Sequence, residues 1–426
     1  MTIHIAPFDP HTVSDELWAA FNETRRAIDR EFLPDEPILD DDETRREVQR
    51  TNPMVEFRRW VAMEGDEVAG AIRAAFRRPG TPHEEEYARF LWAGGGVRAS
   101  SRRRGVGTLL LREVHGSMHA LDKTVLTMST QTEPGHAFIK HIGAVEKHRT
   151  VEQRAVFADL DWPRLRQWED GAAARGSSWE CYAGRVPRDV LVDLLPVFTE
   201  FFADVPLGGL ETGPIRREIN DYDLWYETLE RVGGAHHFVL LRAPDGSVAG
   251  LSEAGWDARA PGIVRQQLTA VARPWRGRGV GRALKAAMLR QVHEAHPEAA
   301  VIGTNNAEVN APILSINARV GFKIAWRNVD YQVTRDALDE SQRDRISGEE
   351  EELGRWKTDL QSQSFLCSPL WNGPVTYRTQ RSSRRSPPLR ANLFVDPGPW
   401  SINIPGAGYA QTFECAMTSS LPGSRG

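Results

Sequence analysis

A strand that runs into a tight basic turn and then straight into a helix leaves a chain few folds to choose from, and this chain does it twice. One instance is Val271-Ala-Arg-Pro-Trp-Arg276-Gly277-Arg278-Gly279-Val280-Gly281-Arg-Ala-Leu-Lys285. Beyond it, Ala283, Leu284, Ala287, Met288, Val292 and Ala295 recur at three- and four-residue spacing, which predicts a helix with one apolar face laid on a sheet. Gly279 and Gly281 keep Cβ atoms away where turn becomes helix, so successive N–H groups can converge on one anion at the positive end of the helix dipole. Arg276, Arg278 and Arg282 add charge there. An anion so placed gains roughly 0.3–1 kcal/mol, and a diphosphate meeting several donors gains more.

Two other phosphate-binding turns are excluded by the residues themselves. A Walker loop needs Lys-Ser or Lys-Thr after its second glycine, where Arg282-Ala283 stand, and a dinucleotide fingerprint needs a small residue where Leu284 stands. The remaining pattern, Arg-x-x-Gly-x-Gly, resembles the cofactor loop of the GNAT superfamily, the acyl-CoA-dependent N-acyltransferases related to Gcn5. The resemblance extends to Asn310, eleven residues before the pair Gly321-Phe322, where that family also carries an Asn before Gly-Phe.

The second instance is Val97-Arg-Ala-Ser-Ser-Arg102-Arg-Arg104-Gly105-Val-Gly107, 174 residues earlier, with a hairpin before it and strand, helix and strand after it. A repeat of domain length predicts a tandem pair. The expected fold is α/β of the α+β type, with two GNAT-like domains, each a mixed, mostly antiparallel sheet flanked by helices. The expected boundaries are residues 1–165, a linker at 166–178, residues 179–336, and a Ser-, Pro- and Gly-rich tail at 337–426 that reads as disordered.

The copies differ downstream of the loop. Thr132 replaces the Asn, and Ala144 replaces the Phe. The sequence therefore favours the second copy as the catalytic one. There the resemblance implies that Val271, Arg276, Gly277, Arg278, Gly279, Val280, Gly281, Asn310 and Asn317 hold acetyl-CoA, with Arg102, Arg104, Gly105 and Gly107 as a possible second site. The family's usual acid is a Tyr four residues before the Gly of Gly-Phe; here the two copies carry Ile139 and Asn317. Glu253 as base and Tyr331 as acid are the remaining candidates.

The net charge of −5 argues against a general nucleic-acid binder. Cys181, Cys367 and Cys415 are too scattered for a disulfide framework or a metal cluster, and His236-His237 lack a spaced partner, so no metal is implied. No apolar run approaches a membrane span, and the start lacks a signal-peptide pattern, which predicts a cytoplasmic protein. The resemblance implies an N-acetyltransferase that moves an acetyl group from acetyl-CoA to a primary amine of a small substrate. The alternative is a non-catalytic acyl-CoA-binding regulatory protein.

Overall fold

The computed structural model describes residues 2–32, 38–173 and 177–341. In chain order the first half holds β1 (Ile3–Pro7), α1 (Asp15–Phe32), α2 (Asp41–Gln49), the hairpin β2 (Val55–Glu64) and β3 (Glu67–Arg77), α3 (Glu84–Tyr87), β4 (Phe90–Val97), α4 (Val106–Ala120), β5 (Val125–Thr130), α5 (Glu133–His141), β6 (Val145–Val156) and α6 (Trp162–Ala173). The second half repeats the plan with β7 (Ser178–Ala183), α7 (Arg188–Ala203), α8 (Ile219–Arg231), β8 (Ala235–Arg242), β9 (Val248–Trp256), β10 (Ile263–Val271), α9 (Val280–Ala295), β11 (Val301–Ala307), α10 (Ala311–Arg319) and β12 (Lys323–Thr334). Residues 335–341 form a closing helix.

All twelve strands join one sheet in the order β1-β2-β3-β4-β5-β12-β6-β11-β10-β9-β8-β7. Pairing is antiparallel except at β4–β5 and β10–β11. The last strands of the two copies have changed places: β12 pairs with β5, β6 pairs with β11, and the two pair with each other at the centre. Each core is therefore built from both halves of the chain. Val329, Tyr331, Val333 and Leu338 pack with Leu126, Met128 and Ile139 under α4, while Phe157, Leu160 and Leu165 pack with Met288 and Ile302 under α9.

Two expectations differ from this architecture. The segment 166–178 read as linker because Asp170-Gly-Ala-Ala-Ala-Arg-Gly-Ser-Ser looks unstructured; up to Ala173 it is helix. Leu165 is buried, Trp162 and Trp168 pack on the α9 core, and Glu169 pairs with Arg290, so tertiary contact overrides weak local propensity. The expected tail begins at 337, yet Leu338 is a core residue. The expected disorder of the remainder, residues 342–426, lies outside the described residues. No helix among the described residues is long and apolar enough to cross a membrane.

Candidate functional site

Both basic turns adopt one backbone. A short 3-10 turn (Ala99–Ser101 and Arg273–Trp275) ends each strand, and a left-handed glycine, Gly105 at φ 80° or Gly279 at φ 84°, caps each helix. Two residues before each cap the backbone is also left-handed, at Arg103 (φ 62°) and Gly277 (φ 73°). The first helical hydrogen bonds run from Leu109 N–H to Gly105 C=O (3.0 Å) and from Ala283 N–H to Gly279 C=O (3.2 Å). In the first copy this leaves the N–H groups of Val106, Gly107 and Thr108 aimed out of the helix end. The loop arginines are braced alike: Arg102 Nε donates to Val97 C=O (3.0 Å) and Arg276 Nε to Val271 C=O (3.1 Å). Their outer nitrogens hold carboxylates, Glu31 at the end of α1 for Arg102 (Nη1–Oε1 2.6 Å) and Asp204 just after α7 for Arg276. Arg273 also bonds Asp204 (2.6 Å), and Arg273 followed by Arg276 holds its carboxyl down to about 2.

Behind each loop two parallel strands part. The β4–β5 ladder ends at Ala93↔Met128, while β4 stays paired to β3 as far as Val97 and β5 stays paired to β12 as far as Thr130. The β5-facing backbone groups of Gly94–Val97 thus have no strand opposite them. β10 and β11 part in the same way after Gln266↔Thr304.

A cavity of about 1020 Å³ fills the first opening, against the copy that the sequence reading ranked second. Its wall includes Gly94–Gly96 of β4, the loop at Arg102, Gly105 and Gly107, and the β5–α5 turn from Ser129 to Gly135. The glycine run has a steric reason, because a Cβ at Gly96 would come within 2.9 Å of Ile28 on α1 and one at Gly95 within 2.2 Å of the Ala71 carbonyl. Thr132 caps α5 by accepting from Gly135 N–H (3.2 Å). Asn305, Trp326 and Asn328 of the second half close the far side, brought there by the strand exchange. Of the second-site residues named from sequence, Arg102, Gly105 and Gly107 line the cavity, and Arg104 turns away to Glu64.

The second-copy residues divide differently. Val271, Arg276, Gly277, Arg278, Gly279, Val280 and Gly281 form the twin loop, with Arg278 over the Trp275 ring at 5.1 Å. Asn310 is the N-cap of α10 without a side-chain capping bond. Asn317 does not reach a cleft wall: it is 0% exposed, and its Nδ2 donates to Gln153 Oε1 of β6 (2.9 Å). Beside it Lys285 is sealed too, donating to Gln266 Oε1 with its Nζ 3.9 Å from the centre of the Phe322 ring; burial alone drives its pKa well below the usual lysine range.

Neither catalytic candidate faces an opening. Glu253 is 0% exposed under α7 and α8, where Tyr222 donates to it (2.8 Å) and Arg217 forms an ion pair (3.2 Å). Burial pushes its carboxyl up, against the pull of Arg217 and the Tyr222 hydrogen bond. Counting three residues on from the paired glycines Gly250 and Gly70 gives Glu253 in one copy and Arg73 in the other, so the copies place opposite charges here. Tyr331 lies in the α4 core with its hydroxyl 2.9 Å from His136 Nδ1, and burial raises its pKa. Sequence reading missed Gly94–Gly96, whose threefold run inside a strand signals close backbone approach, and missed Asn305, Trp326 and Asn328, which only the exchanged topology delivers.

No protein-family model and no curated protein matches the chain. Among solved structures it is similar to a tandem GNAT protein from the clavulanic acid biosynthesis pathway, at 21% identity and a TM-score of 0.58, over 78% of this chain and 99% of that one. It is also similar to a GCN5-related N-acetyltransferase from Sphaerobacter thermophilus, at 17% identity and a TM-score of 0.53, over 78% and 96%. At such identities the likeness is one of fold, and it agrees with the tandem architecture read from the repeated loops.

Proposed function

From the tandem GNAT fold as premise, we propose that this protein is an acyl-CoA-dependent N-acyltransferase whose working site is the cleft of the first copy. The observation that carries the reading is the 1020 Å³ cavity joining a helix-end anion cradle to an unpaired strand edge. The N–H groups of Val106, Gly107 and Thr108, with Arg103 and with Arg102 once it exchanges Glu31 for phosphate, would receive the diphosphate of acetyl-CoA. The pantetheine arm would lie along Gly94–Val97 as an added strand, bringing the thioester to the wall of Asn305, Trp326 and Asn328.

A neutral primary amine held against that wall attacks the thioester carbonyl; the C–N bond forms, the C–S bond breaks, CoA leaves as its thiolate, and the proton shed by the amide nitrogen ends on that sulfur as the free thiol. Unpaired N–H groups of the β4 edge would meet the oxyanion, and the cleft would supply proximity and orientation. The second copy would then serve the fold, its polar centre sealed around Glu253, Arg217 and Asn317. A non-catalytic acyl-CoA binder is the second reading, favoured by the buried Ile139 and Asn317 where the resemblance implies a Tyr.

Calorimetric titration of acetyl-CoA into the wild type, Gly105→Glu and Gly279→Glu tests the site. Both glycines are left-handed and a Cβ at Gly105 meets nothing within 4 Å, so the two variants carry similar backbone strain and control for each other. Binding lost only in Gly105→Glu is the expected result. Loss only in Gly279→Glu would move the site to the second copy, and no binding by the wild type would overturn the reading. CoA release with a panel of small amines then separates enzyme from binder.

A further inference from the structure

We propose that His115, His119 and Asp339 form a binding site for one divalent transition-metal ion of the zinc class. The two histidines are one turn apart on α4, which places both rings on the same side of the helix, 4.9 Å apart centre to centre. Both direct Nε2 at one carboxylate oxygen: Asp339 Oδ1 is 2.8 Å from His115 and 2.9 Å from His119. All three donor atoms lie within 4.8 Å of one another. Ligand bonds of about 2.0–2.2 Å at tetrahedral angles separate donors by roughly 3.3 Å. An ion therefore enters after the nitrogens and the oxygen part by about half an ångström.

The geometry does not depend on the ion to exist. Leu338 is buried beside Val114 and Met118 of α4, and Arg335 bonds Asp122 at 2.9 Å, so the closing helix is anchored at two points just before the carboxylate. His115 is buried while His119 is half exposed, which gives the ion a wall on one side and room for water as a fourth ligand on the other. Two imidazoles with one carboxylate suit zinc and its neighbours; magnesium and calcium prefer an all-oxygen shell, and copper(I) prefers sulfur. Sequence reading had no reason to join residues 220 positions apart.

His115 follows Gly107 by eight residues, or about 12 Å of helix, so the ion sits away from the cleft and takes no part in the transfer. What it fastens is the end of β12, the strand carried over from the second half, to the helix whose start is the first-copy loop.

Chelator-treated full-length protein is titrated with Co²⁺, followed by visible absorption, in the wild type, His119→Gln, Asp339→Asn and the control Glu85→Gln. The control removes a carboxylate from the other cluster of this kind among the described residues, His83 with Glu85 and Glu86. One Co²⁺ per chain, bound at least tenfold more weakly by His119→Gln and by Asp339→Asn but equally well by Glu85→Gln, is the expected result. Zn²⁺ should then raise the Tm of the wild type and not of His119→Gln. A hydrogen-bonded cluster that takes up no cobalt overturns the proposal. So does binding that is indifferent to both ligand variants, that is lost in Glu85→Gln, or that shows thiolate-to-cobalt charge transfer.

Discussion

At the scale of single residues, the polar groups divide into those that can meet a ligand and those spent inside the fold. Glu253 belongs to the second kind. Its carboxylate balances the buried Arg217 guanidinium and accepts from Tyr222, and His236 Nε2 lies 3.7 Å away. Removing the counter-charge of a buried pair costs roughly 3–5 kcal/mol, because the remaining ion keeps its desolvation penalty. Glu253→Gln is therefore expected to lower stability by roughly 3 kcal/mol while leaving unchanged the acetyl-CoA affinity proposed for the first-copy cleft, as read by urea unfolding and calorimetry. A variant of wild-type stability with its turnover abolished would restore Glu253 as a base. Arg103 shows the same limit of one-residue reasoning. Its left-handed backbone is the conformation its twin Gly277 adopts freely, and nothing in the local residue types announces that an arginine stands there.

Elements were more legible than contacts. The hairpin β2–β3, the helix α9 and the strand β10 follow from apolar periodicity and turn residues, because amphipathic patterns record which face is buried. What such a pattern cannot record is the partner. His236 and His237 illustrate this on β8: read as adjacent histidines without a ligand role, they point to opposite faces, His236 to the Tyr226 hydroxyl (3.0 Å) and His237 to His296 Nε2 (2.8 Å). Burial, then His296, brings His237 down to about 4. An unfolded chain takes up that proton near pH 6.5, so between pH 6.5 and about 4 the unfolded state binds more protons and stability falls as pH falls. By pH 5 the loss is about 2 kcal/mol from this group, and burial lowers His236 and His296 in the same direction. Urea midpoints measured with chelator present should drop between pH 7.5 and pH 5, and drop less in His237→Gln. A midpoint independent of pH would show that the imidazoles titrate alike in both states.

For the molecule as a whole, the strand exchange decides how it comes apart. Two repeats that each kept their own last strand would have separate sheets and could melt separately. Here β5 finds its neighbour in β12, about 200 residues away, and β11 finds its neighbour in β6. The α4 core would lose Val329, Tyr331, Val333 and Leu338 if the second half opened, and the α9 core would lose Phe157, Leu160 and Leu165 if the first did. Burying a large apolar side chain contributes about 1.5–3 kcal/mol, so four of them amount to much of the 5–15 kcal/mol by which a domain is stable. Neither half can then stay folded beside an unfolded partner. Scanning calorimetry should accordingly show one transition with calorimetric and van't Hoff enthalpies equal, whereas independent halves would give a ratio near two. The pairing of the most distant strands also has to precede completion of either core, so refolding should be slow for a chain of this helix content. Two resolved transitions would mean that the exchanged strands are held more weakly than their hydrogen-bond ladders indicate, and the halves would have to be treated as separate units.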